Sequence, residues 1–188
     1  MTTNCIVKER GTRDMDIKNF WEVVEARLDR DKAKKFMFAG NAVFTLRNAD
    51  NGARITFKVM RPRGVKAAKY PANLYFVSYK YNEDTTDGLG YMPIGYVMAG
   101  EPAYRMTMKQ AQKLSSDKRY KPAVAEAFEK GSKVFNWYLT GLFNGTLPET
   151  LEVYHAGRCG RCGKRLTVPY SIEVGYGPEC IDLMGELK

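Results

Sequence analysis

Ala42-Val-Phe-Thr-Leu-Arg47, Asn48-Ala-Asp-Asn-Gly52 and Arg54-Ile-Thr-Phe-Lys-Val-Met-Arg61 read in succession as a strand, a turn and a second strand. Apolar and polar residues alternate on both sides of a segment rich in Asn, Asp and Gly, which is hairpin chemistry. The second strand places Ile55, Phe57 and Val59 on one face and Arg54, Thr56 and Lys58 on the other, because side chains alternate along a strand. Working outward, Arg61-Pro-Arg-Gly-Val-Lys66 breaks the alternation as a basic loop. Leu74-Tyr-Phe-Val-Ser-Tyr-Lys-Tyr81 restores it as a third strand, and Asn82–Gly88 is a polar turn. Tyr91–Met98 is a fourth strand, irregular at Pro93 and Gly95, and Tyr104–Thr107 suggests a short fifth. Consecutive strands joined by short or polar turns predict an antiparallel meander.

The flanks have helical period. Ile17, Phe20, Trp21, Val23, Val24 and Leu28 recur as one face of a helix opening at Asp14 or Asp16. The charged run Arg27–Lys35 is expected on its solvated side or in the following loop. Thr107–Leu114 suits a short helix. Lys121–Leu139 suits a stronger one, with Pro122 in its first turn and Gly131 interrupting an apolar side of Val124, Phe128, Val134, Phe135, Tyr138 and Leu139. Gly141–Pro148 reads as a linker into a cysteine-bearing tail. The fold class expected is α+β: an antiparallel β-meander with flanking helices (residues 1–150), followed by a small C-terminal zinc module (residues 151–188).

The totals fit that picture. A chain of 188 residues with 44% hydrophobic content can bury a real core. No apolar stretch has the length of a membrane span, and no secretory signal is visible. Lys plus Arg number 30 against 21 Asp plus Glu, a net charge of +9 concentrated in the middle of the chain, while residues 151–188 balance at 5 against 5. A basic middle favours polyanionic partners, chiefly DNA or RNA.

The tail carries the chemistry. His155, Cys159, Cys162 and Cys180 form the pattern H-x3-C-x2-C-x17-C. Three thiolates and an imidazole are a donor set for tetrahedral Zn2+ in a closed structural site. Glu173, Glu179 and Asp182 are the alternatives for the fourth ligand. Cys5 stands far from the set, so the spacing reads as metal binding in a reducing cytoplasm rather than as disulfides. A deaminase-like open zinc site would want a His-x-Glu or Cys-x-Glu element ahead of its cysteine pair, and the chain has neither.

The run from His155 to Cys180, with its paired cysteines, Leu166-Thr167, Pro169-Tyr-Ser171 and the close Gly175-Tyr-Gly-Pro-Glu-Cys180, resembles a zinc-finger-like domain of uncharacterised phage, plasmid and actinobacterial proteins. Tyr170 stands where that family commonly has an acidic residue. The strand-rich block ahead resembles, more loosely, the region that precedes this domain in phage proteins. The resemblance implies zinc and a bacteriophage or mobile-element origin. It brings no activity with it.

Two basic clusters are candidate nucleic-acid contacts: Arg61, Arg63, Lys66 and Lys69 after the second strand, and Arg158, Arg161, Lys164 and Arg165 on the cysteine turn. The neutral balance of the tail favours the first as the stronger site. Tyr75 and Tyr79, with Tyr81, share one face of the third strand and would stack bases if that face were open. The leading expectation is a non-enzymatic nucleic-acid-binding accessory protein, with no catalytic residues assigned. The alternative is a module that binds, and inhibits or redirects, a host protein. A metal-dependent nuclease built on Glu83, Asp84 and Asp87 is the weakest reading.

Overall fold

The computed structural model describes residues 26–80, 90–106 and 122–185. The expected N-terminal helix up to residue 25, the turn at 82–88 with its three acids, the helix at 107–114, Cys5 and Tyr81 lie outside the described residues. Seven strands form one antiparallel sheet: β1 (Arg27–Leu28), β2 (Asn41–Asn48), β3 (Arg54–Met60), β4 (Leu74–Lys80), β5 (Tyr91–Met98), β6 (Tyr104–Met106) and β7 (Leu151–His155). The helices are α1 (Arg30–Met37), α2 (Pro122–Asn144), α3 (Pro169–Val174) and α4 (Pro178–Gly185). The strand order is β1-β7-β2-β3-β4-β5-β6. The expected meander is therefore present as β2 to β6, and the class is α+β.

Two differences from the sequence reading have physical causes. The charged run after Leu28 is not loop but α1. Asp29 caps it by accepting from the Lys32 amide at 2.8 Å, and Ala33, Phe36 and Met37 form its buried stripe. The division expected after residue 150 falls just before β7, which lies inside the sheet between β1 and β2. Leu151 pairs with Asn48 and His155 with Phe44, so the tail begins as a strand of the main sheet.

α2 covers one face of the meander. Phe57, Val59, Val77, Ile94 and Val97 point beneath it, and Phe135, Tyr138 and Leu139 meet them, all fully buried. Phe135 packs edge-on to Phe57 at 5.2 Å. Gly131, which weakens the helical pattern in sequence, lets α2 approach β4: a Cβ there would lie 2.7 Å from the Tyr79 ring. The other face carries Arg54, Thr56, Lys58 and Met60 from β3, as the alternation predicts, and no described helix covers it.

Candidate metal centre and cationic surface

A hairpin closed by the Arg158–Arg165 bridge holds the first two cysteines. Inside it the Cys159 amide donates to the Lys164 carbonyl at 2.8 Å, and the Gly163 amide to the Cys159 carbonyl at 2.9 Å. Cys180 arrives from the first turn of α4, whose start is set by its amide donating to the Gly177 carbonyl at 2.9 Å. The sulfurs of Cys159, Cys162 and Cys180 all lie within 4.8 Å of one another, and none is in a disulfide. Tetrahedral thiolate sites with metal–sulfur bonds of about 2.3 Å place sulfurs roughly 3.8 Å apart. The three cysteines are therefore close enough to hold a metal ion.

The electrostatics agree. Burial raises the Cys159 pKa, but hydrogen bonds from the amides of Cys162, Gly177 and Arg161 overcome it, so this thiol titrates below its ordinary value. Burial and the neighbouring Cys159 and Cys162 push the Cys180 thiol up to about 11, opposed by a hydrogen bond from Arg161. One sulfur is prepared to be an anion while its neighbour resists a second negative charge. A divalent cation resolves that conflict.

The fourth ligand requires a correction. His155 is fully buried, but it is not part of the sulfur group. Its Nε2 donates to the Ile172 carbonyl at 2.6 Å, and its Nδ1 accepts from the Gly157 amide at 3.1 Å. An acceptor role for Nδ1 places the proton on Nε2, so neither nitrogen offers a lone pair to a metal. Burial lowers the pKa of this imidazole, partly offset by the Ile172 carbonyl, consistent with a neutral ring. His155 instead ties β7 to α3. The ring of Phe36 lies 5.5 Å from it and 5.9 Å from Tyr176. Phe36 thus reaches from α1 beneath the cysteine turn and docks the tail onto the sheet. Neither Glu173, Glu179 nor Asp182 joins the sulfurs, and Glu173 instead faces Lys32 at 3.8 Å.

Sequence reasoning missed Tyr176. Its ring packs on the cysteine cluster, and its hydroxyl is buried without a hydrogen bond among the described residues. Burial, then the Cys159 charge, raises its pKa strongly. The Tyr138 hydroxyl in the main core is likewise buried without a hydrogen bond among the described residues.

The two basic clusters, about a hundred residues apart in sequence, meet in space. Arg63 Nη2 donates to the Arg161 carbonyl at 2.9 Å. The Asn41 amide, at the start of β2, donates to the Gly160 carbonyl at 2.6 Å. Lys66 and Lys69 sit on an exposed 3-10 turn at Gly64–Lys69, and Arg61, Arg158, Lys164 and Arg165 are also exposed. None of these cations pairs with a carboxylate among the described residues. Arg161 differs: it is only partly exposed, and its side chain lowers the pKa of the Cys180 thiol. The tyrosine platform expected on β4 is corrected. Tyr75 and Tyr79 are 6% and 9% exposed and lie under α2, where the Tyr75 hydroxyl donates to the Phe38 carbonyl at 2.7 Å.

A model of a family of unknown function (DUF6011) matches residues 149–185, so the match covers β7 and the cysteine turn rather than the meander. No curated protein and no solved structure matches the chain.

Proposed function

We propose that this protein is a non-enzymatic nucleic-acid-binding accessory factor whose cationic ridge is shaped by a structural zinc ion. What supports the reading is the joining of two cationic clusters at the Arg63–Arg161 contact, with no described carboxylate neutralising the exposed cations around it. Solvated lysines and arginines placed together attract phosphates and release their counterions. Cys159, Cys162 and Cys180 would hold the zinc, which supplies charge neutralisation and closes the turn. A reducing cytoplasm suits three unpaired thiols. A phage or mobile-element origin rests on the resemblance of the cysteine run alone.

The test is the salt dependence of binding to DNA and RNA. Changing Arg61, Arg63, Lys66 and Lys69 to Ala, and separately Arg158, Lys164 and Arg165, should weaken binding and flatten the slope of log affinity against log salt. The expected loss is about 0.7–0.9 per phosphate contact. Absence of binding to either polymer at low salt sinks the reading.

One observation favours the rival, a host-protein partner. Val168 and Tyr170 are 55% and 61% exposed at the start of α3. Their replacement by Ser and Gln should abolish capture of a nuclease-resistant partner if that reading holds, and should leave nucleic-acid binding intact if ours does.

A further inference from the structure

The outer face of the sheet, opposite α2, differs from the tyrosine face that the sequence points to. Its composition is unusual for a solvent-facing sheet. The seven strands hold six basic residues, Arg27, Arg47, Arg54, Lys58, Lys80 and Arg105, and one acid, Glu152. Glu152 is already engaged by Arg47 at 2.7 Å and Arg27 at 3.3 Å. Arg105 in turn lies 3.9 Å from Glu101, just outside the strands. With these pairs counted, Lys58 and Lys80 keep the face cationic.

It is also aromatic, through a specific distortion. In β5, Met92 and Ile94 point inward, so strict alternation would aim Gly95 outward and Tyr96 inward. The pairing with β4 shifts register at Val77/Ser78, and beyond the shift Val97 is the buried residue. Tyr96 is thereby turned to the outer face, where Tyr91 and Pro93 already lie. Re-aiming one side chain is the usual consequence of a bulge. Gly95 permits it, since a Cβ there would lie 2.5 Å from the Arg105 carbonyl. Tyr96 then stands directly across from Phe76 on β4 and from Arg105 on β6. Tyr70, which follows the basic loop, packs edge-on to Phe76 at 5.1 Å. Lys58 lies over the Tyr91 ring at 5.6 Å, and Lys80 is the direct neighbour of Tyr91. A partly buried aromatic row thus runs from the exposed Tyr70 beside the cationic ridge across the sheet, with ammonium groups beside it.

We propose that this outer face is a platform for a single nucleic-acid strand, with Phe76, Tyr96 and Tyr91 stacking bases and Lys58, Lys80 and Arg105 meeting its phosphates. The proposal rests on the nucleic-acid reading above and narrows it to single strands. Ring faces can stack on unpaired bases, whereas a duplex presents its backbone and keeps its bases stacked on one another. The charge of the face selects a polyanion over an apolar protein partner or a second copy of this equally basic chain.

The test uses the full chain and a short oligonucleotide carrying 2-aminopurine, single-stranded or annealed to its complement. The wild-type protein should prefer the single strand and quench the base analogue on binding. Phe76→Leu and Tyr96→Leu should each weaken single-strand binding by about five- to hundredfold, the range seen for loss of one stacked base. They should abolish quenching and leave the salt slope unchanged, since no charge is removed. Tyr96→Phe keeps the ring and should retain both affinity and quenching, which separates stacking from damage to the fold. Equal binding of duplex and single strand, with both Leu variants unaffected, overturns the platform and leaves the ridge standing. No binding of any nucleic acid overturns the platform and the function together. A wild-type dimer that becomes monomeric in the Leu variants overturns the platform in favour of self-association.

Discussion

The meander and the cysteine turn reach stability by opposite routes. The meander buries rings and branched chains from its strands against α2. The turn has Leu166 as its one buried aliphatic side chain, with the thiols and the partly buried Ile172 and Tyr176 packed around it. Apolar burial of the first kind supplies its own driving force. A cluster of sulfurs does not, because deprotonated thiols repel until a cation neutralises them. Hydrophobic content therefore suffices for one half of this molecule, while the other is held against its neighbour by β7 and Phe36 and, on the function proposed above, by a bound ion.

The strongest way to break that contrast is to remove the ion or a ligand. Cys162→Ser, or a chelator, should cost the protein about one equivalent of metal. It should also expose the amides of residues 157–185 to hydrogen exchange while β3, β4 and β5 stay protected. Loss of protection across the whole sheet would show that the meander is not self-sufficient. Next in size is Phe36→Ala, which removes the ring beneath the turn and should destabilise the protein by about 3–5 kcal/mol. Both halves should suffer, which denaturant melts followed by metal release can separate. Gly131→Ala acts on the meander alone. Its methyl must displace Tyr79, and overpacking of this kind costs about 1–3 kcal/mol with no change in metal content.

The smallest effect sharpens the role of His155. Its folded pKa is depressed, so the unfolded chain binds the extra proton first as pH falls. Stability is therefore complete above the unfolded value of about 6.5 and declines below it, by up to about 1.4 kcal/mol per pH unit. In metal-free protein this acid sensitivity should be reduced in His155→Gln. An unchanged profile would show that some other group carries it.

Much of this was legible in sequence, and the failures share a cause. β2 to β5 and α2 announce themselves by period, because each has one face committed to the core. Which face of β4 is covered is not written in its alternation. Leu74 and Phe76 on one side are as apolar as Tyr75, Val77 and Tyr79 on the other, and only the position of α2 decides. α1 hides for a related reason. Its eight residues offer one short apolar stripe among four Lys and Arg, too little for a periodicity signal. In the tail, three of the four expected ligands come together. His155 does not, because ligand preference says nothing about which backbone groups a buried imidazole will satisfy first. Its other possible signal, membership of the strand Leu151–His155, is obscured by the short length of that strand.

Arg161 joins these two halves in a way that has a thermodynamic corollary. Its carbonyl accepts from Arg63 and its side chain lowers the pKa of the Cys180 thiol, so one residue links the cationic ridge to the sulfur group. If the ion orders that turn, and the ordered turn places Arg63 for a phosphate, then the two ligands share a coupling free energy. Linkage makes such coupling reciprocal: whatever factor the ion adds to polymer affinity, the polymer must add to ion affinity. A chain of this design would retain its metal most firmly while engaged, and surrender it most readily when idle.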